Sequence, residues 1–153
     1  MGAVKTQLKS DLVAAMKAHD EVAKSTIRMA LSAIQSAEVA GDEARELTDA
    51  EETDVLAKQV SSRRDSAAAY RDGGREELAA DEEAEIVVLE KYLPAQLSVE
   101  EVRAIVDEEV AAAAGDQKPS MKLMGPVMKA VQARTKGRFD GKEASQIVRA
   151  ALS

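Results

Sequence analysis

At 153 residues, with 45% hydrophobic and only 2% aromatic content, the chain can hold one ordinary domain or two small ones with cores of Ala, Leu, Ile, Val and Met. It has no cysteine, which excludes disulfides, thiolate metal sites and a cysteine nucleophile and suits a reducing cytoplasm. The formal charge of −7 is uneven: residues 1–117 hold 13 Lys and Arg against 26 Asp and Glu, whereas residues 118–153 hold 8 against 2, so an acidic body carries a basic tail.

Val4, Leu8, Leu12 and Met16 recur every four residues and predict a first helix with one apolar stripe. The opening stretch lacks the unbroken apolar run of an export signal, and no segment approaches the roughly 20 apolar residues that span a bilayer. A soluble, cytoplasmic protein without membrane association is expected. A second helix follows, with Asp20 as N-cap, Ile27, Leu31 and Ile34 as its stripe and Gly41 as its stop.

Thr48 and Glu51 have capping-box spacing and open a long third helix with Leu56, Val60, Ala67 and Tyr70 inward. Gly73 and Gly74 break it, and a fourth helix carries Leu78, Ile86, Leu89 and Leu93 until Pro94. The domain boundary is placed there, giving residues 1–94 and 95–153. Ser98 and Glu101 form a second capping box before Val102, Ile105, Val106 and Val110. Beyond Gly115, a helix is expected to begin at Pro126 and end at Gly137, and Asp140 with Glu143 to cap a last helix with Ala144, Ile147, Val148, Ala151 and Leu152 inward. No segment reads as a strand, so the fold class is all-α, a long-helix bundle followed by a smaller domain of three to four helices.

Candidate sites are few. His19, the single histidine, stands at a helix end without a nucleophile beside it and reads as a solvated residue. The acidic run at 81–85 lacks the glycine-hinged loop of a calcium site and reads as a solvated helix face. Met121, Met124 and Met128 lie on one side of a helix and could grip a partner or pack into the small domain. Arg63, Arg64, Arg71 and Arg75 form a local basic zone or pair with neighbouring carboxylates.

The stretch "KGRFDGKEASQ" at 136–146 superficially suggests a phosphate loop. Three residues separate Gly137 from Gly141 instead of four, Glu143 replaces the hydroxyl, and a helix rather than a strand precedes it, so a nucleotide site is excluded. What remains is an interhelical turn displaying Arg134, Lys136, Arg138 and Lys142 beside a helix N-terminus, suited to an extended polyanion.

"STIRMALSAIQSAE", "SSRRDSAAAYRDGGREELAADEEAEIVVLEKYLPAQLS" and "MGPVMKAVQARTKGRFDGKEASQIVRAAL" together resemble the YqeY proteins nearly end to end. The last stretch is also similar to the tail domain of GatB, a subunit of the glutamine-dependent amidotransferase that converts misacylated Glu-tRNA or Asp-tRNA. That resemblance implies a tRNA-contacting C-terminal domain, with Gly125, Val127, Met128, Lys129, Lys136, Gly137 and Lys142 matching the tail pattern and Asp140-Gly141 replacing its usual Asn-Pro. The kinase-like catalytic portion of GatB has no counterpart. The family label of a carbon–nitrogen ligase with glutamine as amido-N-donor finds no amidase serine or ATP site in this chain.

The resulting expectation is a non-catalytic accessory protein, without cofactor or metal, that binds tRNA or another structured RNA. The candidate contacts are Lys129, Arg134, Lys136, Gly137, Arg138, Lys142 and Arg149. The alternative is a helical protein–protein interaction module with no RNA role.

Overall fold

The computed structural model describes residues 1–153 as seven α-helices and one short 3-10 turn, with no strand. The fold is all-α. The chain divides into two compact units, Met1–Pro94 and Ala95–Ser153.

In the first unit, α1 (Ala3–Ala18) packs on α2 (Glu21–Glu38), and α3 (Asp49–Asp72) packs on α4 (Glu76–Glu90). Leu8, Ile27, Ala30, Ile34, Leu56, Val60, Ile86 and Leu89 close one core, joined by Leu47 from the α2–α3 connection. Each large aliphatic side chain fully removed from water contributes roughly 1.5–3 kcal/mol, so this cluster, rather than helix propensity, holds the unit. The α1 stripe departs from expectation at Met16, which is 47% exposed, while Ala15 is buried. A four-residue spacing drifts by about 40° per step on a helix of 3.6 residues per turn. By Met16 the stripe has rotated off the core face. Tyr70 is also exposed, in the last turn of α3.

Helix ends explain the connections. His19 adopts the left-handed conformation, φ 55°, and its N–H reaches the carbonyls of Ala15 and Met16, closing α1 just before Asp20 opens α2. Histidine is among the few non-glycine residues enriched there. Its role is thus conformational, beyond the solvated position read from sequence. Asp20 accepts the Ala23 N–H at 3.1 Å. Thr48 and Glu51 form the expected reciprocal box at 3.2 Å in both directions. α2 ends at Glu38, before Gly41, and α4 ends at Glu90, with turn residues leading to Pro94.

The second unit contains α5 (Val99–Ala114), a 3-10 turn (Met121–Leu123), α6 (Met124–Thr135) and α7 (Gly141–Leu152). The three α-helices all contact one another, around Val102, Val106, Val110, Val127, Val131, Val148 and Leu152. Ser98 and Glu101 box the start of α5. Two expectations need correction. α6 begins at Met124, two residues before Pro126; proline is tolerated in that first turn because its N–H would have no intrahelical acceptor. Asp140 is the N-cap of α7, but its side chain makes no cap hydrogen bond and the box with Glu143 does not form. Met124 and Met128 pack against the core, whereas Met121 is exposed.

Candidate nucleic-acid interface

The turn between α6 and α7 is built from both chain-local and distant contacts. Lys136 caps α6, its N–H donating to the Gln132 carbonyl at 2.9 Å, and Gly137 takes φ 73°, a conformation that a side chain would strain. Arg138 donates its N–H to the Thr135 carbonyl at 2.8 Å, tightening the reversal. Residues 95–97 then strap the turn. The Leu97 N–H donates to the Arg138 carbonyl at 2.8 Å, and Gln96 Nε2 donates to the Gly137 carbonyl at 2.9 Å. Arg138 Nε returns a bond to the Ala95 carbonyl at 3.0 Å, and its Nη1 reaches the Arg134 carbonyl at 3.4 Å.

The seven sequence-derived positions therefore separate by task. Arg138 and Gly137 are half-buried and shape the turn. Arg134, on α6, turns to α5, its Nη1 lying 2.8 Å from Glu108 Oε2 and 3.1 Å from Glu109 Oε1. These two acceptors, Glu108 foremost, raise the Arg134 pKa further above its ordinary value and keep its charge fixed. Lys129, Lys136, Lys142 and Arg149 are exposed. Lys142 and Arg149 are seven residues apart on α7 and so share one side of that helix.

Folding also changes the charge balance. Residues 118–153 are strongly basic, but their unit as a whole, residues 95–153, holds 9 Lys and Arg against 8 Asp and Glu. The difference arises on and around α5, which contributes Glu100, Glu101, Asp107, Glu108 and Glu109, the last two paired with Arg134. Sequence reasoning missed Glu108, Glu109, Ala95 and Gln96. The only available signal was the acidic doublet on α5, which lacks nearby basic residues of its own except Arg103.

In the first unit the arginine zone is internally neutralised. Arg63, 8% exposed, lies against Glu85 and 3.6 Å from Glu82, with Nη2 also 3.7 Å from the Met29 sulfur. Arg64 pairs with Glu90, Arg71 with Glu76 and Glu83, and Arg75 with Glu77. The acidic run at 81–85 is accordingly the partner of the arginines as well as a wetted face. Burial pushes the Glu85 carboxyl above its ordinary range, outweighing the lowering attraction of Arg63. No three His, Asp or Glu side chains converge as metal ligands, and no helix is long and apolar enough to cross a membrane.

A helical protein of two units, the second with the exposed cations Lys129, Arg134, Lys136, Lys142 and Arg149 on α6, α7 and the turn between them, is the class that this geometry defines. The chain belongs to the YqeY family, whose model, described as Yqey-like protein, matches residues 5–152. It is similar to the protein named altered inheritance of mitochondria protein 41, mitochondrial, from three organisms. The Kluyveromyces lactis protein is 38% identical over 118 residues, covering 76% of this chain and 63% of that protein. One from Saccharomyces cerevisiae is 33% identical over 129 residues, covering 78% and 68%. The Clavispora lusitaniae protein is 37% identical over 109 residues, covering 71% and 59%. The chain thus spans between 59% and 68% of the length of these curated relatives.

Proposed function

We propose that this YqeY-family chain is a non-catalytic accessory protein that binds tRNA or another structured RNA through the α6–turn–α7 surface of its C-terminal unit. The carrying observation is that residues 118–153 contain only two acids, Asp140 and Glu143, while Lys129, Lys136, Lys142 and Arg149 are exposed there. Several cations on a strapped, pre-shaped turn suit a phosphate backbone, which rewards multiple simultaneous contacts. The similarity of this stretch to the GatB tail supports tRNA as the RNA and a link to amidotransferase chemistry. The relatives are mitochondrial by name, and a chain without cysteine suits the cytoplasm and the mitochondrial matrix equally.

Ultraviolet crosslinking of the full chain to total deacylated tRNA tests this reading. Crosslinked peptides from residues 118–153 are expected, and crosslinks confined to residues 1–94, or none, would overturn it. The purified chain alone is expected to form no amide on misacylated tRNA supplied with glutamine and ATP.

One observation favours a protein-docking reading instead. Val99, Val106, Ile147 and Ala151 floor an open groove between α5 and α7, edged by Arg103 and Asp107. Recovery of one stoichiometric protein after nuclease treatment of a cell extract would support that reading over RNA binding.

A further inference from the structure

Arg134 is a candidate cation held by two of the protein's own carboxylates. Glu108 and Glu109, adjacent on α5, both accept from its Nη1, with Arg134 41% exposed, Glu108 65% and Glu109 23%. Other acids of α5, Glu100 and Glu101, stand at its N-terminal end, where Glu101 serves the Ser98 cap. The doublet is therefore distinguished from the rest of the acidic helix by what it holds.

We propose that Glu108 and Glu109 act as a built-in substitute for phosphate, holding Arg134 out of the RNA surface until a backbone phosphate displaces them. The proposal rests on the RNA-binding reading above and adds its regulation. A guanidinium fork donates to carboxylate and phosphate oxygens in similar geometry, so the two compete for the same N–H groups. The contact is solvent-exposed, where such pairs are weak, and exchange is within reach of an incoming phosphate. A lone phosphate has little advantage over two tethered carboxylates. A polyanion already anchored by Lys136 or Lys142 brings its next phosphate to Arg134 at high effective concentration. The doublet thus selects extended polyanions over small anions and tunes affinity by masking one cation.

The test measures binding of total deacylated tRNA by the full chain and three variants of it at low salt, with circular dichroism to verify folding. E108Q/E109Q is expected to tighten binding about 1.5- to fivefold, the range expected for releasing an exposed ion pair. E100Q/E101Q removes the same charge from the same helix without touching Arg134, and is expected to give a smaller gain. In an R134Q background the E108Q/E109Q gain should fall to that of the control. Equal gains from the two acidic pairs, or a full gain without Arg134, would overturn the gate while leaving RNA binding intact. Absence of binding by the wild type and every variant would overturn the RNA reading and the gate together.

Discussion

Arg138 Nε donates to the backbone carbonyl of Ala95 at 3.0 Å, joining residues 43 apart in sequence and fixing the turn that carries Lys136 and Lys142. The most obvious cation of the turn is thus a clamp. Replacing it removes two bonds to backbone carbonyls, each contributing about 0.5–1.5 kcal/mol net, or more from a charged donor. Arg138→Ala is expected to speed hydrogen exchange at the Leu97 amide, which donates to the Arg138 carbonyl. Unchanged exchange would show that the strap holds without the side chain.

Glu52 performs a comparable task in the first unit. It is 1% exposed, and its carboxylate accepts the N–H groups of Gly2 at 3.1 Å and Lys5 at 3.0 Å, capping α1 from α3. A Cβ at residue 2 would collide with that carboxylate and with Asp49 Oδ1, so any larger residue there forces the two acidic side chains to shift. Glu52→Ala strands two part-buried donors and should destabilise the unit by about 1–3 kcal/mol in urea titration. Gly2→Ala is expected to act in the same direction, because the capping carboxylate must move.

The Arg63 cluster yields a pH-dependent expectation. The Glu85 pKa is raised in the folded protein, so the folded state binds that proton more tightly than the unfolded chain does. The sign follows: this group favours folding when protonated, and the advantage is lost as pH rises from the ordinary glutamate range through the raised value. Glu85→Gln removes the titration while keeping an acceptor beside Arg63. Thermal unfolding should therefore show the variant gaining on the wild type between pH 4 and pH 7, and a gap independent of pH would contradict the assignment. Arg63→Met, which leaves Glu82 and Glu85 without their cation, is expected to cost about 2–3 kcal/mol at neutral pH.

His19 offers a gain. Its φ of 55° suits glycine better than any residue with a Cβ, so His19→Gly should stabilise the α1–α2 turn by about 0.5–1 kcal/mol. A lower melting temperature would mean that the imidazole makes an interaction outweighing its backbone strain.

Local rules carried much of the fold. The Thr48–Glu51 and Ser98–Glu101 boxes and the Asp20 cap need only a three-residue spacing, and each forms. The same spacing at Asp140 and Glu143 gave no box, in a turn whose neighbouring residues are held by Ala95, Gln96 and Leu97. A pattern read over four residues cannot register such distant partners. The candidate surface was legible for the same reason only in part. Lys129, Lys136, Lys142 and Arg149 are exposed as a basic segment suggests, but Arg134 meets acids 25 and 26 residues away and Arg138 meets backbone. Net charge along the chain gave the tail its sign, while packing against α5 decided how much of it faces outward.

The most direct measurement is the salt dependence of tRNA binding by the full chain and by K136E/K142E/R149E. If about four phosphates are contacted, the log–log slope for single-stranded contacts should lie near −3, steeper on duplex segments. The charge-reversed variant is predicted to bind far more weakly and with a shallower slope. Equal affinity and equal slope for the two proteins would contradict an RNA interface on α6, α7 and their turn.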